Sequence, residues 1–131
     1  MLASLEDKPG RVVIVDLGGG VMTVARGDES QIDVLVVVVE PYPRSAEVAR
    51  RLLAMAAEKG IDRRIVVANR IAGREDLDAV ERFLGVAPDV VIPDDSAVAA
   101  ADRAGASPVD HDPGSPAVGV VRELASLLLD Y

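Results

Sequence analysis

Four short runs of β-branched and aliphatic residues restrict the fold of this chain more than any other feature: Val12–Val15 (VVIV), Val34–Val39 (VLVVVV), Ile65–Ala68 (IVVA) and Val90–Ile92 (VVI). They are continuous rather than alternating. A strand with one wet face alternates apolar and polar side chains, whereas a continuous run fits a strand covered on both faces, as in a parallel sheet. Between the runs the apolar spacing becomes helical. In Ala46–Lys59, residues Ala49, Leu52, Leu53 and Ala56 share one stripe, with Ser45 placed to cap the start and Gly60 to end it. Leu77, Val80 and Leu84 form a second stripe, closed by Gly85. A short helix is expected over Ala97–Arg103. A last helix should start at Ser115 as N-cap and Pro116 in the first position, with Val118, Val121, Leu124 and Leu128 on its apolar face. Gly105–Gly114 is the longest irregular piece. Strands alternating with helices specify an α/β fold of three layers around a mostly parallel sheet. At 131 residues, one domain spanning 1–131 is expected.

Composition narrows the function classes. Hydrophobic residues make up 50% of the chain but aromatics only 2%, so the core is aliphatic. The absence of cysteine excludes disulfides and thiolate metal sites. No apolar run approaches the roughly 20 residues that span a bilayer. The opening MLASLEDKPG lacks the basic-then-apolar order of a signal peptide, so a cytoplasmic location is expected. A formal charge of −8 repels nucleic acid and anionic lipid and argues against both as partners. The pairs Arg50–Arg51 and Arg63–Arg64 are too short to make a basic patch and read as solvated faces.

In open parallel sheets, ligands bind at the carboxyl ends of the strands. The residues there are Asp16 with Gly18–Gly20, Glu40-Pro41, Asn69-Arg70 and Pro93-Asp94-Asp95. Each has a plainer reading by itself. Glycines after a strand make turns, and an aspartate at a strand end caps the following helix. His111, between Asp110 and Asp112, has no second histidine to join it, which makes a poor metal site.

The strand ends form an ordered set: DLGGGVMTVARG (Asp16 to Gly27), VVVVEPYPRSAEVARRL, VVANR, VIPDDSAVAAADRAG and GSPAVGVVREL. In that order and spacing the chain resembles the carboxy-terminal two-thirds of the MinD/ParA group of P-loop ATPases, and within it the CooC-type proteins that help load nickel into carbon monoxide dehydrogenase. The resemblance runs from about Arg11 to Tyr131 and implies a P-loop NTPase-type (SIMIBI-like) fold. It implies that Asp16 orients magnesium and its water shell. Gly20 would let a backbone amide approach the γ-phosphate. Asn69, with Arg70 beside it, would meet the adenine edge, and Pro93 and Asp94 would line the base and ribose pocket. Arg26 would lie in the switch segment. The implied cofactor is ATP or ADP with magnesium. The implied protein partners are a second copy of the chain, an active ATPase of the same group, or a metalloenzyme under maturation.

The departures are as informative. No G-x-x-x-x-G-K-S/T occurs in these residues, and the two lysines, Lys8 and Lys59, stand in no glycine-rich loop. The amides and the lysine that cradle phosphates in the family are therefore expected to be missing, and hydrolysis by this chain alone with them. An acidic residue and a histidine of the CooC-like switch segment are replaced by Met22 and Thr23, and the usual lysine after Asn69 is Arg70. In the resembled fold the P-loop strand lies between the strands matching Val12–Val15 and Val34–Val39. Without it, those two strands either pair directly through a right-handed crossover or leave edges for a partner chain.

Three functions follow as alternatives. The chain is an adenine-nucleotide-binding or vestigial domain that does not hydrolyse alone, a non-catalytic interaction module, or the carboxy-terminal part of a split ATPase. The last terminus, ELASLLLDY, carries too little basic charge for the membrane-binding helix of MinD proteins proper. A receiver domain is a weaker rival at the level of fold. It needs an acidic pair after its first strand and an aspartate after its third, where this chain offers Asp16 alone and Asn69.

Overall fold

The computed structural model describes residues 11–16 and 32–129. Their elements run β1 (Leu35–Val39), α1 (Pro43–Glu58), β2 (Arg64–Ile71), α2 (Arg74–Leu84), β3 (Val90–Pro93), α3 (Ser96–Ala104), α4 (Pro108–His111) and α5 (Pro116–Leu129). The three strands form one parallel sheet in the order β1-β2-β3, flanked by helices. This is the α/β architecture that the alternating pattern specifies.

Register explains the burial. Val37 lies beside Val66 and Val39 beside Ala68, and these point to one side of the sheet, where Ala46, Ala49 and Ala56 of α1 and Val80 and Leu84 of α2 close the core. Small alanines let α1 approach the sheet closely, and Leu52, Leu53 and Met55 fill in around them. Ile65, Val66, Val67 and Ala68 are all buried. Successive strand residues point to opposite faces, so β2 is covered on both sides. β1 is not: Val37 and Val39 are buried, but Val38 is 56% exposed. The continuous run therefore marks a doubly covered strand only at the centre of the sheet.

Helix ends follow their local chemistry. α1 stops in a Schellman arrangement around Gly60 at φ +71°: the Ile61 amide donates to the Ala56 carbonyl (2.9 Å) and the Gly60 amide to Ala57 (3.2 Å). Gly85, at φ +76°, closes α2 in the same left-handed conformation. Ser115 caps α5, its hydroxyl accepting from the Val118 amide at 3.4 Å, with Pro116 in the first position. Val118 is buried and Leu124 and Leu128 half-buried, while Val121 is exposed.

Three further expectations are corrected. Ser45 does not cap α1, which begins two residues earlier at Pro43; inside the first turn its hydroxyl instead accepts from the Glu40 amide at 3.0 Å. Proline at the first helical position, with its fixed φ and no amide to satisfy, moved the start forward. The Gly105–Gly114 stretch contains the single turn α4. Val12–Val15 forms no strand and stays exposed, Ile14 at 88%. Direct pairing of Val12–Val15 with β1 is therefore not what the chain adopts, and β2 is the one strand on β1 among the described residues. A strand exists only through a ladder partner, and local β-propensity does not supply one.

Candidate functional site

The sheet brings three of the strand ends into one row. β1 ends at Val39 and hands on to Glu40; β2 ends through Asn69, Arg70 and Ile71; β3 ends at Pro93 and hands on to Asp94. The ladder between β2 and β3 is regular up to Ala68–Val91 and resumes at Ile71–Pro93. Asn69 and Arg70 thus oppose the single residue Ile92, which makes a β-bulge at the carboxyl end of the central strand. Bulges bend a strand and re-aim its side chains, and they gather next to functional sites.

Arg70 bears the cost of that bulge. It is the one non-glycine residue at positive φ (+58°) among those described. The left-handed region costs a residue with a Cβ about 1–2 kcal/mol. The bulge places the Arg70 guanidinium between the neighbouring strand ends, with Nη1 3.8 Å from Glu40 Oε1 and Nε 3.7 Å from Asp94 Oδ1. Both distances exceed a hydrogen bond, so these are charge pairs rather than directed bonds. All three side chains reach solvent. Asn69, half-buried, stands one residue before it, and Pro93 is half-buried on the adjacent strand. Asn69, Arg70, Pro93 and Asp94 therefore share the carboxyl end of the sheet.

Asp16 is exposed and lies in the separate stretch 11–16. Gly20, with Gly18, Gly19, Met22, Thr23 and Arg26, falls outside the described residues. Among the described residues no three histidine, cysteine or carboxylate side chains converge as a metal cage, around His111 or elsewhere.

Two aspartates have structural work at the ends of β3, Asp95 as the helix cap that a strand-end aspartate is read to be and Asp89 without any signal in the pattern. Asp95, grouped above with the strand-end candidates, caps two helices at once. Its Oδ1 accepts from the Ala97 amide in α3 at 2.9 Å and its Oδ2 from the Ala117 amide in α5 at 3.1 Å. The Ala117 bond first, then the Ala97 bond, hold its carboxyl below the ordinary value, with the Ser115 hydroxyl adding to them and partial burial opposing. At the other end, Asp89 Oδ2 accepts from the Val66 amide at 2.7 Å while its own amide donates to the Val66 carbonyl at 2.8 Å. The Asp-Ser-Ala start of α3 signals the first cap; the second depends on where α5 packs. A shallow groove of about 310 Å³ between β3 and α5 includes Asp89 and Glu123. It begins at the amino end of β3, and its two carboxylates suit no anionic ligand.

The chain is similar to proteins of known family over most of its length. The carbon monoxide dehydrogenase accessory protein CooC of Rhodospirillum rubrum is 34% identical over 119 residues, covering 86% of this chain and 43% of that protein. A ParA family ATPase from Chlorobium tepidum TLS superposes with a TM-score of 0.62 at 26% identity, over 73% of this chain and 42% of its own. The MinC:MinD cell division protein complex of Aquifex aeolicus superposes with a TM-score of 0.60 over 78% of this chain and 45% of the other, and at 20% identity shows the fold alone. The chain thus spans less than half the length of each of these three proteins. No family model matches it.

Proposed function

On the footing that this chain is a CooC homologue with the fold of the ParA and MinD ATPases, we propose that it forms the base-side half of an adenine-nucleotide site and does not hydrolyse nucleotide by itself. The observation that carries the reading is the row of strand ends, where a bulge presents Asn69 and Arg70 between β1 and β3. A half-buried amide beside a solvent-reaching guanidinium fits a ligand that is planar and polar at one end and anionic at the other. In this reading Asn69 accepts and donates at the base edge, Pro93 packs on the base, Asp94 meets the ribose, and Arg70 faces phosphate. Gly20 would give the backbone room to approach the terminal phosphate. Asp16 would orient magnesium through its water shell. When bound, magnesium would neutralise phosphate charge. These 131 residues carry no glycine-rich lysine motif. Hydrolysis is mostly positioning and charge stabilisation, so in this reading it needs groups from outside them, as in a split ATPase.

The test is a calorimetric titration of the folded chain with ATP and with ADP, each with magnesium. Binding that Asn69→Ala abolishes is expected, with no phosphate released over the same hours. Binding undiminished in Asn69→Ala would remove the base-side assignment.

A second reading, an interaction module for a second copy, an ATPase or a metalloenzyme, is favoured by the exposed Val12–Val15 stretch and the uncovered Val38 on β1. It predicts that Asn69→Ala leaves association untouched.

A further inference from the structure

We propose that Arg70 is a charge latch on this site: Glu40 and Asp94 hold it in the unliganded chain, and an anionic ligand seated over the strand ends must take it from them. The inference deepens the nucleotide reading and rests on it, since it states how that site is restrained. The three charges come from three different strand ends, and their meeting is set by the sheet and the bulge, not by sequence neighbourhood.

The geometry supports a restraint that is meant to yield. At 3.7 and 3.8 Å both carboxylates attract the guanidinium without binding it through directed hydrogen bonds. A guanidinium carries five donors in a fixed fork that matches phosphate oxygens. A phosphate therefore offers Arg70 directed bonds that Glu40 and Asp94 do not. The same two carboxylates repel the phosphate. They act against binding twice, once by occupying Arg70 and once by their own charge. Glu40 is the cleaner of the two to test, because it stands outside the proposed base and ribose contacts. Its amide is already held by the Ser45 hydroxyl, so replacing the side-chain charge leaves the turn after β1 in place.

The prediction is counter to the usual effect of removing a polar residue beside a site. Glu40→Gln should bind ADP about two- to fivefold more tightly than the parent chain, the size of one exposed ion pair. Arg70→Gln should bind more weakly. In the double variant Glu40→Gln/Arg70→Gln, the gain from Glu40→Gln should shrink to the smaller part due to direct repulsion. The measurement is calorimetry of all four chains with ADP and, separately, with inorganic tripolyphosphate and with adenosine, after circular dichroism establishes equal folding. A Glu40→Gln affinity equal to or below the parent's, or a gain of the same size in the Arg70→Gln background, overturns the latch. Tripolyphosphate binding that follows the pattern while adenosine does not bind keeps the latch and removes the adenine reading. Adenosine binding without any response to tripolyphosphate or to Glu40→Gln does the reverse. No binding of any probe by any of the four chains overturns both.

Discussion

Arg70 stands out among the strand-end residues by one backbone angle. Nothing in VVANRIAG distinguishes Arg70 from any solvated arginine at a strand end. Its left-handed φ arises because β3 meets β2 one residue out of step, and that register belongs to the pair, not to either strand. The position after Asn69 was still legible as a candidate, because strand ends of parallel sheets are where ligands sit. Its pairing with Glu40 and Asp94 was not, since charge pairs between strands depend on the finished sheet. If the bulge is strained, glycine relieves it and glutamine does not, while both remove the charge. Arg70→Gly should therefore be more stable than Arg70→Gln by about 1 kcal/mol, read as the difference in urea unfolding free energy. Equal stability, or an advantage for glutamine, would mean that the αL angle costs this position nothing.

Elements are where the sequence spoke most clearly and also where it misled. Gly60, Gly85 and Ser115-Pro116 end or start helices for reasons contained within a few residues, and each is where the pattern put it. Val12–Val15 has the right residues for a strand, but a ladder needs a neighbour at the right distance and register, which no local pattern records. The double cap at Asp95 is of the same kind: half of it is written next to the aspartate and half lies in α5, 22 residues on. That cap gives a pH signature. The folded-state carboxyl is held below the ordinary value of 3.8. Its contribution is therefore fully present above that value and is lost as pH falls through the lower folded-state value. Asp95→Asn keeps one acceptor oxygen and no charge. Its urea midpoint should lie below the parent's at pH 7, and the gap should narrow as pH is lowered from 5 to below 3. A gap constant over that range would show that hydrogen-bond geometry alone, not charge, makes the cap. A separate stability test concerns the link between β2 and β3. Asp89→Ala leaves the Val66 amide without its acceptor and should cost about 1 kcal/mol, seen as a lower urea midpoint with circular dichroism unchanged in the folded baseline.

At the scale of the whole molecule, charge and edge act in opposition. A net −8 keeps copies apart through long-range repulsion. β1 works the other way. Its five residues, Leu35–Val39, contain no lysine, proline or bulge, the devices that keep an edge strand from pairing with another chain, and Val38 is 56% exposed. Among the described residues β2 lies on one side of β1 and no strand on the other. The repulsion is screened within about 8 Å at physiological salt, whereas edge pairing is not, so salt should decide between them. The chain should gain mass with concentration at 0.5 M sodium chloride in size-exclusion chromatography with light scattering, and less so at low salt. Val38→Lys places a charge on the exposed face of β1 while leaving the buried Val37 and Val39 untouched, so it should fold as the parent does and remain at monomer mass in both buffers. If Val38→Lys associates as the parent does, β1 is not the contact. If the parent associates more at low salt than at high salt, attraction between charged surfaces, rather than an open apolar edge, holds the copies together.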